Sequence, residues 1–185
     1  MIKQIEAYEP YNEQEARDKE IILSMLTEAE RMGEDIFSRE NRMAHMTASA
    51  WVVNRDRTKV LLAYHNIYNS WAWLGGHADG ERNLLSVAVR EVCEESGLTP
   101  AHVRPAWLIS QKGDLSQGSA GDIFSLEVLA VGGHFKKGEY ISSHLHLNVT
   151  YLLESDEEET LYKKEDENSS VKWFLPEEAL AASSE

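Results

Sequence analysis

The sequence predicts an α/β fold, a sheet layered with helices and preceded by an amphipathic helix. Three observations predict it. Residues 144–153 alternate, with Leu145, Leu147, Val149, Tyr151 and Leu153 on one face and His144, His146, Asn148 and Thr150 on the other, the period of a strand. Two other stretches, 12–32 and 83–96, carry apolar residues three and four apart, the period of a helix. Strand-like and helix-like stretches then interleave along the chain, which calls for helices packed on a sheet.

The elements follow in order. Within 12–32, Ile21, Ile22, Met25, Leu26 and Ala29 share one helix face, and Gly33 supplies the stop. This helix is expected to pack on the domain; a homodimer contact or a lid over a substrate cleft is the alternative. Residues 1–40 are assigned to an N-terminal helical extension and 41–185 to the domain proper. Residues 45–53 and 59–64 read as two strands of a hairpin about the turn 54–57. Residues 71–74 form a third, short strand, followed by Gly75, Gly76 and a polar turn at 77–80. Leu84, Leu85, Ala88, Val89 and Val92 recur at helical spacing, and Gly97 stands where a left-handed C-cap is expected. Residues 103–110 and 122–131 are strand candidates on either side of a glycine-bearing loop, 111–121, and 132–141 reads as a second loop. After the alternating strand, 154–159 reads as a solvated acidic turn, 171–174 as a last strand and 176–181 as a final helix.

The chain has 185 residues, 42% of them hydrophobic, enough for a sizeable core. Its formal net charge of −14 repels nucleic-acid backbones and anionic membranes, so neither is expected as a partner. A small phosphorylated substrate remains compatible, because a bound cation and local basic residues reverse the sign inside a cleft. The single cysteine, Cys93, forms no internal disulfide. No stretch approaches the ~20 apolar residues of a membrane span, and the first residues hold no apolar signal-peptide core. A cytoplasmic protein is the default expectation.

The chemistry concentrates in the stretch GGHADGERNLLSVAVREVCEESGL, residues 75–98. On a helix, Glu91 lies beside both Glu94 and Glu95, since residues three and four apart are neighbours. Three crowded carboxylates repel one another and, at a helix C-terminus, oppose the helix dipole. A hard divalent cation removes both conflicts, and magnesium is commonly held by a few carboxylates together with substrate phosphates. Arg90 lies four residues before Glu94 and can offset part of the charge.

This stretch resembles the Nudix box: Gly, five residues, Glu, seven residues, Arg-Glu, an aliphatic, any residue, Glu-Glu, any residue, Gly, an aliphatic. Gly76, Arg90, Glu91, Val92, Glu94, Glu95, Gly97 and Leu98 match with the right spacing. The first glutamate of the pattern falls on Arg82, and a glutamate sits one residue early at Glu81. The resemblance implies a Nudix-type α/β/α sandwich with a mixed central sheet and the box as loop-helix-loop beside it. It implies magnesium or manganese held by Glu91, Glu94 and Glu95, helped by the backbone carbonyl of the paired glycines, here Gly76. It favours Arg90 as an orienter of the glutamates through a charge-assisted hydrogen bond; direct neutralisation of phosphate is the alternative.

The expected reaction is hydrolysis of a nucleoside diphosphate linked to another moiety, or of a related organic diphosphate. A metal-activated water attacks phosphorus and Glu91 or Glu167 takes the proton. Glu167 ends an acidic run, 164–167, like one that precedes the last strand in relatives; it is a candidate base or further ligand, with a solvated charge run as the plain alternative. Glu81 either folds back onto the site, which Gly80 favours by freeing the backbone, or favours the positive end of the helix start. His77, after the double glycine, is a candidate phosphate donor. His144 and His146 are candidates to line the substrate cleft; as a zinc half-site they lack a third ligand recognisable by spacing. The five tryptophans fall on predicted strands and most are expected in the core. Two rivals keep the fold: an isopentenyl-diphosphate-isomerase-like enzyme, which needs a cysteine elsewhere than in the box helix, and a non-catalytic domain that senses a nucleotide or diphosphate.

Overall fold

The computed structural model describes residues 1–66, 69–106, 121–136, 138–164 and 168–183. The chain opens with α1 (Ile2–Ala7) and α2 (Glu13–Met32). Asn12 caps α2, its side chain accepting the Glu15 N–H at 2.9 Å, and Gly33 closes it in the left-handed conformation, φ 69°. There follow β1 (Ala44–Asn54), β2 (Val60–His65), β3 (Ser70–Ala72), β4 (Leu74–His77) and α3 (Leu84–Ser96). The rest are β5 (Arg104–Pro105), β6 (Ile123–Val131), β7 (His134–Lys136), β8 (Glu139–Ile141), β9 (His144–Ser155), β10 (Asn168–Phe174) and α4 (Pro176–Ala182).

The main sheet runs β10-β2-β1-β9-β5, with β3 on β2, β4 on β1 and β6 on β9. The β1–β2 hairpin is antiparallel, as are β2–β10, β2–β3 and β5–β9. The Leu145 N–H of β9 donates to the carbonyl of Met43, just before β1, and the Thr47 hydroxyl of β1 to Asn148 Oδ1 of β9; the numbers rise together, as in strands that run parallel. The sheet is therefore mixed.

Three expectations are corrected. The 71–74 run is not one strand: β3 pairs with β2, β4 pairs with β1, and Trp73 stands between them. Gly75, Gly76 and His77 accordingly belong to a strand rather than a loop, because backbone pairing with β1 holds residues whose own preferences give no strand signal. The 132–141 loop contains the hairpin β7–β8, closed by Gly138 at φ 86°; its three-residue strands are too short to show a period. The acidic turn at 154–159 is paired rather than merely solvated. Asp156 meets Arg55, Glu157 meets Lys59, and Glu159 accepts the Thr99 N–H and contacts His102. The helix α1 was not expected at all; six residues carry too little periodicity.

Two compact units make up the chain. The first comprises Met1–Ala48, His77–Leu84 and Ile123–Thr150. In it the Tyr8 hydroxyl donates to the Phe124 carbonyl at 3.1 Å and to the Glu15 carboxylate, which in turn faces the Leu126 N–H. These bonds tie α1 and α2 to β6, within the first unit. The second comprises Ser49–Gly76, Leu85–Asp122 and Tyr151–Glu185. Its core gathers Leu62, Phe174 and Ala179, with Trp51, Val60 and Trp71 packed against them. Trp51, Trp71, Trp73 and Trp173 are only partly buried, so these rings border the core rather than fill it. Trp107 lies outside the described residues.

Candidate active site

The buried face of α3 carries both its apolar residues and its acids. Leu84, Val87, Ala88 and Val92 are fully buried, and on the same side Glu91 is 8% and Glu95 2% exposed. The helix ends at Gly97, φ 74°, whose N–H returns to the Cys93 carbonyl.

Both buried glutamates meet β4. The Gly75 N–H donates to Glu95 Oε2 at 3.1 Å. At Gly76 a Cβ would fall 2.5 Å from Glu91 Cδ and Oε2, so the Glu91 carboxylate occupies the space that only glycine leaves. Glu94 is exposed and turned toward cations: Arg90 Nε lies 3.8 Å from its Oε1 and Lys164 Nζ 3.2 Å from its Oε2. Arg90 also donates from Nη2 to Glu91 Oε1 at 2.8 Å. One guanidinium thus spans two of the three expected ligands. Burial pushes the Glu91 carboxyl above its usual range; the Arg90 hydrogen bond opposes this and the Glu94 charge reinforces it.

Asn168 is the contributor that sequence reading missed. It is fully buried, its Nδ2 donates to the Glu95 carbonyl at 3.1 Å, and its Oδ1 accepts the Lys164 N–H at 3.2 Å. It thereby fastens the Lys164 backbone to the end of α3 while the Lys164 ammonium reaches Glu94. No spacing in the sequence marks this residue. Glu167 and the 111–120 loop lie outside the described residues. Glu81 is exposed and its carboxylate accepts the Asn83 N–H at 2.7 Å, at the start of α3.

The donor set fits a hard divalent cation. Glu91, Glu94 and Glu95 offer carboxylate oxygens, one of them seated in a cradle a Cβ would fill, and a buried carboxylate gains most from a cation beside it.

The remaining candidates, His77, His144 and His146, come together in the first unit, joined by His45. His45 opens β1, His77 ends β4, and His144 and His146 stand two apart on β9. Ring centroids lie 5.1 Å apart for His45–His77, 5.0 Å for His45–His144 and His45–His146, and 4.9 Å for His77–His146. Burial pushes His77 and His146 down to about 3, helped by Arg39 and by the neighbouring imidazoles.

The family model of the NUDIX domain matches residues 43–185. Among solved structures, the chain is similar to a Nudix-family hydrolase from Clostridium perfringens at 24% identity, over 77% of this chain and 87% of that one, with a TM-score of 0.47. It is similar to the MutT protein from Methanosarcina mazei Go1 at 17% identity, over 76% and 83%, TM-score 0.49. A binary complex of a C. elegans Ap4A hydrolase aligns at 16% identity, over 74% and 84%, TM-score 0.48. No curated protein matches.

Proposed function

Because the chain belongs to the Nudix family and is a hydrolase of diphosphate bonds, we propose that it is a divalent-metal-dependent pyrophosphohydrolase. Its substrate in this reading is a nucleoside diphosphate linked to another moiety, or a related organic diphosphate. The observation that carries it is the seat of Glu91 over Gly76, with Glu95 on the Gly75 N–H beside it.

Glu91, Glu94 and Glu95, with the Gly76 carbonyl, would hold magnesium or manganese. When bound, such an ion neutralises phosphate oxygens and lowers the pKa of a water at the site. The chain's own groups do the rest. Arg90 and Lys164 hold the carboxylates in register by charge-assisted bonds and limit their mutual repulsion. Glu91, whose carboxyl burial already favours protonation, takes the proton from the attacking water; Glu167 is the other candidate for that role. Asn168 fixes the end of α3 that presents Glu94 and Glu95.

The test is a magnesium-supported screen over sugar nucleotides, dinucleotides, nucleoside triphosphates and non-nucleotide diphosphates, with products identified by mass. At least one class should be cleaved at a diphosphate bond. Glu94→Gln and Glu95→Gln should lose turnover by orders of magnitude while staying folded, since a neutral amide is a poor ligand for a hard cation. Near-normal rates in both at saturating magnesium would refute the assignment.

A further inference from the structure

The histidine cluster takes no part in the proposed hydrolysis, yet its geometry is specific. His45 is 4% exposed, and its Nε2 is buried with no hydrogen-bond partner among the described residues. Its Nδ1 lies 3.0 Å from the Asn41 carbonyl, which makes Nδ1 the protonated nitrogen and leaves the Nε2 lone pair aimed into the cluster. His144 repeats the arrangement: Nδ1 lies 2.9 Å from the Ser142 carbonyl, and Nε2 faces inward. There it stands 3.1 Å from His146 Nε2. One ligand nitrogen from each of His45, His144 and His146 falls within 4.8 Å of the others.

A core of packed imidazoles accounts for little of this. A buried acceptor without a donor is costly; a His146 Nε2–H can donate to His144 Nε2, but this leaves the His45 Nε2 lone pair, buried beside them, without a donor. A metal ion resolves it. Two nitrogens bound to one tetrahedral zinc at ~2.0–2.1 Å stand about 3.3–3.4 Å apart, close to the separation of His144 and His146. Metal-bound histidines commonly donate their other N–H to a backbone carbonyl, the bond His45 and His144 already make.

We propose that His45, His144 and His146, with His77 beside them, form a binding site for a late first-row divalent cation, zinc being the reference case. Imidazole nitrogens suit zinc, copper, iron or nickel, whereas magnesium prefers oxygen. The site is therefore chemically distinct from the carboxylate set.

The untagged 185-residue chain, stripped with chelator and dialysed, should be titrated with zinc alone against a chromophoric chelator, in excess magnesium. One equivalent of zinc should bind with a Kd below about 1 μM, and cobalt in its place should give the visible bands of tetrahedral coordination. His45→Gln and His146→Gln should each weaken zinc binding at least 100-fold, and Glu94→Gln should leave it unchanged within about twofold. Circular dichroism establishes that each variant is folded; should buried His45→Gln fail to fold, the less buried His146→Gln carries the test. Less than half an equivalent of tight zinc in the wild type, undiminished binding in folded His146→Gln, or loss of binding in Glu94→Gln would overturn the site.

Discussion

Gly76→Ala puts one methyl group against the centre of the proposed chemistry. The new Cβ would stand 2.5 Å from Glu91 Cδ and Oε2 and 2.9 Å from Oε1, well inside van der Waals contact. The backbone is not the obstacle, since Gly76 is absent from the left-handed glycines of this chain. The side chain that must yield is Glu91, 8% exposed and held by Arg90 at 2.8 Å. Overpacking of this kind costs ~1–3 kcal/mol, and displacement of a reacting group by about 1 Å costs on the order of 10²-fold in rate. Urea unfolding followed by tryptophan fluorescence should be measured for Gly76→Ala, Glu91→Ala and the double variant. Glu91→Ala removes all three atoms the methyl would meet, so Gly76→Ala should cost little in that background and the cycle should return a coupling of ~1–3 kcal/mol. Equal costs in both backgrounds, or wild-type turnover and magnesium dependence in Gly76→Ala, would refute the contact as the reason for glycine.

Three further outcomes follow from single residues. Asn168→Ala removes the buried bonds to the Glu95 carbonyl and from the Lys164 N–H; it should lower stability by ~1–3 kcal/mol and reduce magnesium affinity, measured by urea unfolding and metal-dependent turnover. Glu81→Gln weakens only the bond to the Asn83 N–H at the start of α3; turnover should be unchanged and stability lower by ~0.3–1 kcal/mol, and a collapse of activity would instead place Glu81 in the site. Burial, with Glu159 and Glu94 nearby, pushes the Cys93 thiol above the ordinary thiol range to about 11; in chelator at pH 8, alkylation should run about 100-fold slower than for a free cysteine, and a free-thiol rate would show the side chain to be open to solvent.

The sequence carried those parts of the molecule whose signal is local. The extent of α3, the Gly97 cap and the β1–β2 hairpin follow from period and turn residues within a short window, and the Arg-Glu and Glu-Glu pairs stand out because chemistry fixes residue type at fixed spacing. Pairing between distant segments left no such trace. Gly75, Gly76 and His77 become a strand only because β1 lies alongside. His45 joins His144 and His146 because β1 and β9 are neighbours, about a hundred residues apart in sequence, so a third imidazole could not be found by spacing. Asn168 acts through two backbone groups, one on α3 and one at Lys164, and a backbone group has no sequence identity to detect.

The same helix face serves the core and the acids, and that arrangement has a measurable consequence in the metal-free chain. Glu91 is a carboxylate on a buried face, its carboxyl raised above the ordinary range first by burial. A folded-state pKa above the unfolded one means that the native chain binds the proton more readily. Stability from this group is therefore full below the unfolded value of 4.5 and is lost as pH rises through the folded value. Glu91→Gln cannot ionise and keeps a similar shape. In chelator, it should be more stable than the wild type at pH 7, and the difference should shrink toward pH 4.5, as thermal unfolding across that range would show. The Arg90 bond to Glu91 works the other way, but Arg90 is 39% exposed and its pull is screened by solvent. Adding magnesium should reverse the order, because a ligand that binds only the folded state stabilises it in proportion to its affinity, and the amide binds it poorly. A Glu91→Gln chain less stable than wild type at pH 7 in chelator, with a parallel pH profile, would mean that Arg90 outweighs burial and that Glu91 is placed for the fold rather than for a cation.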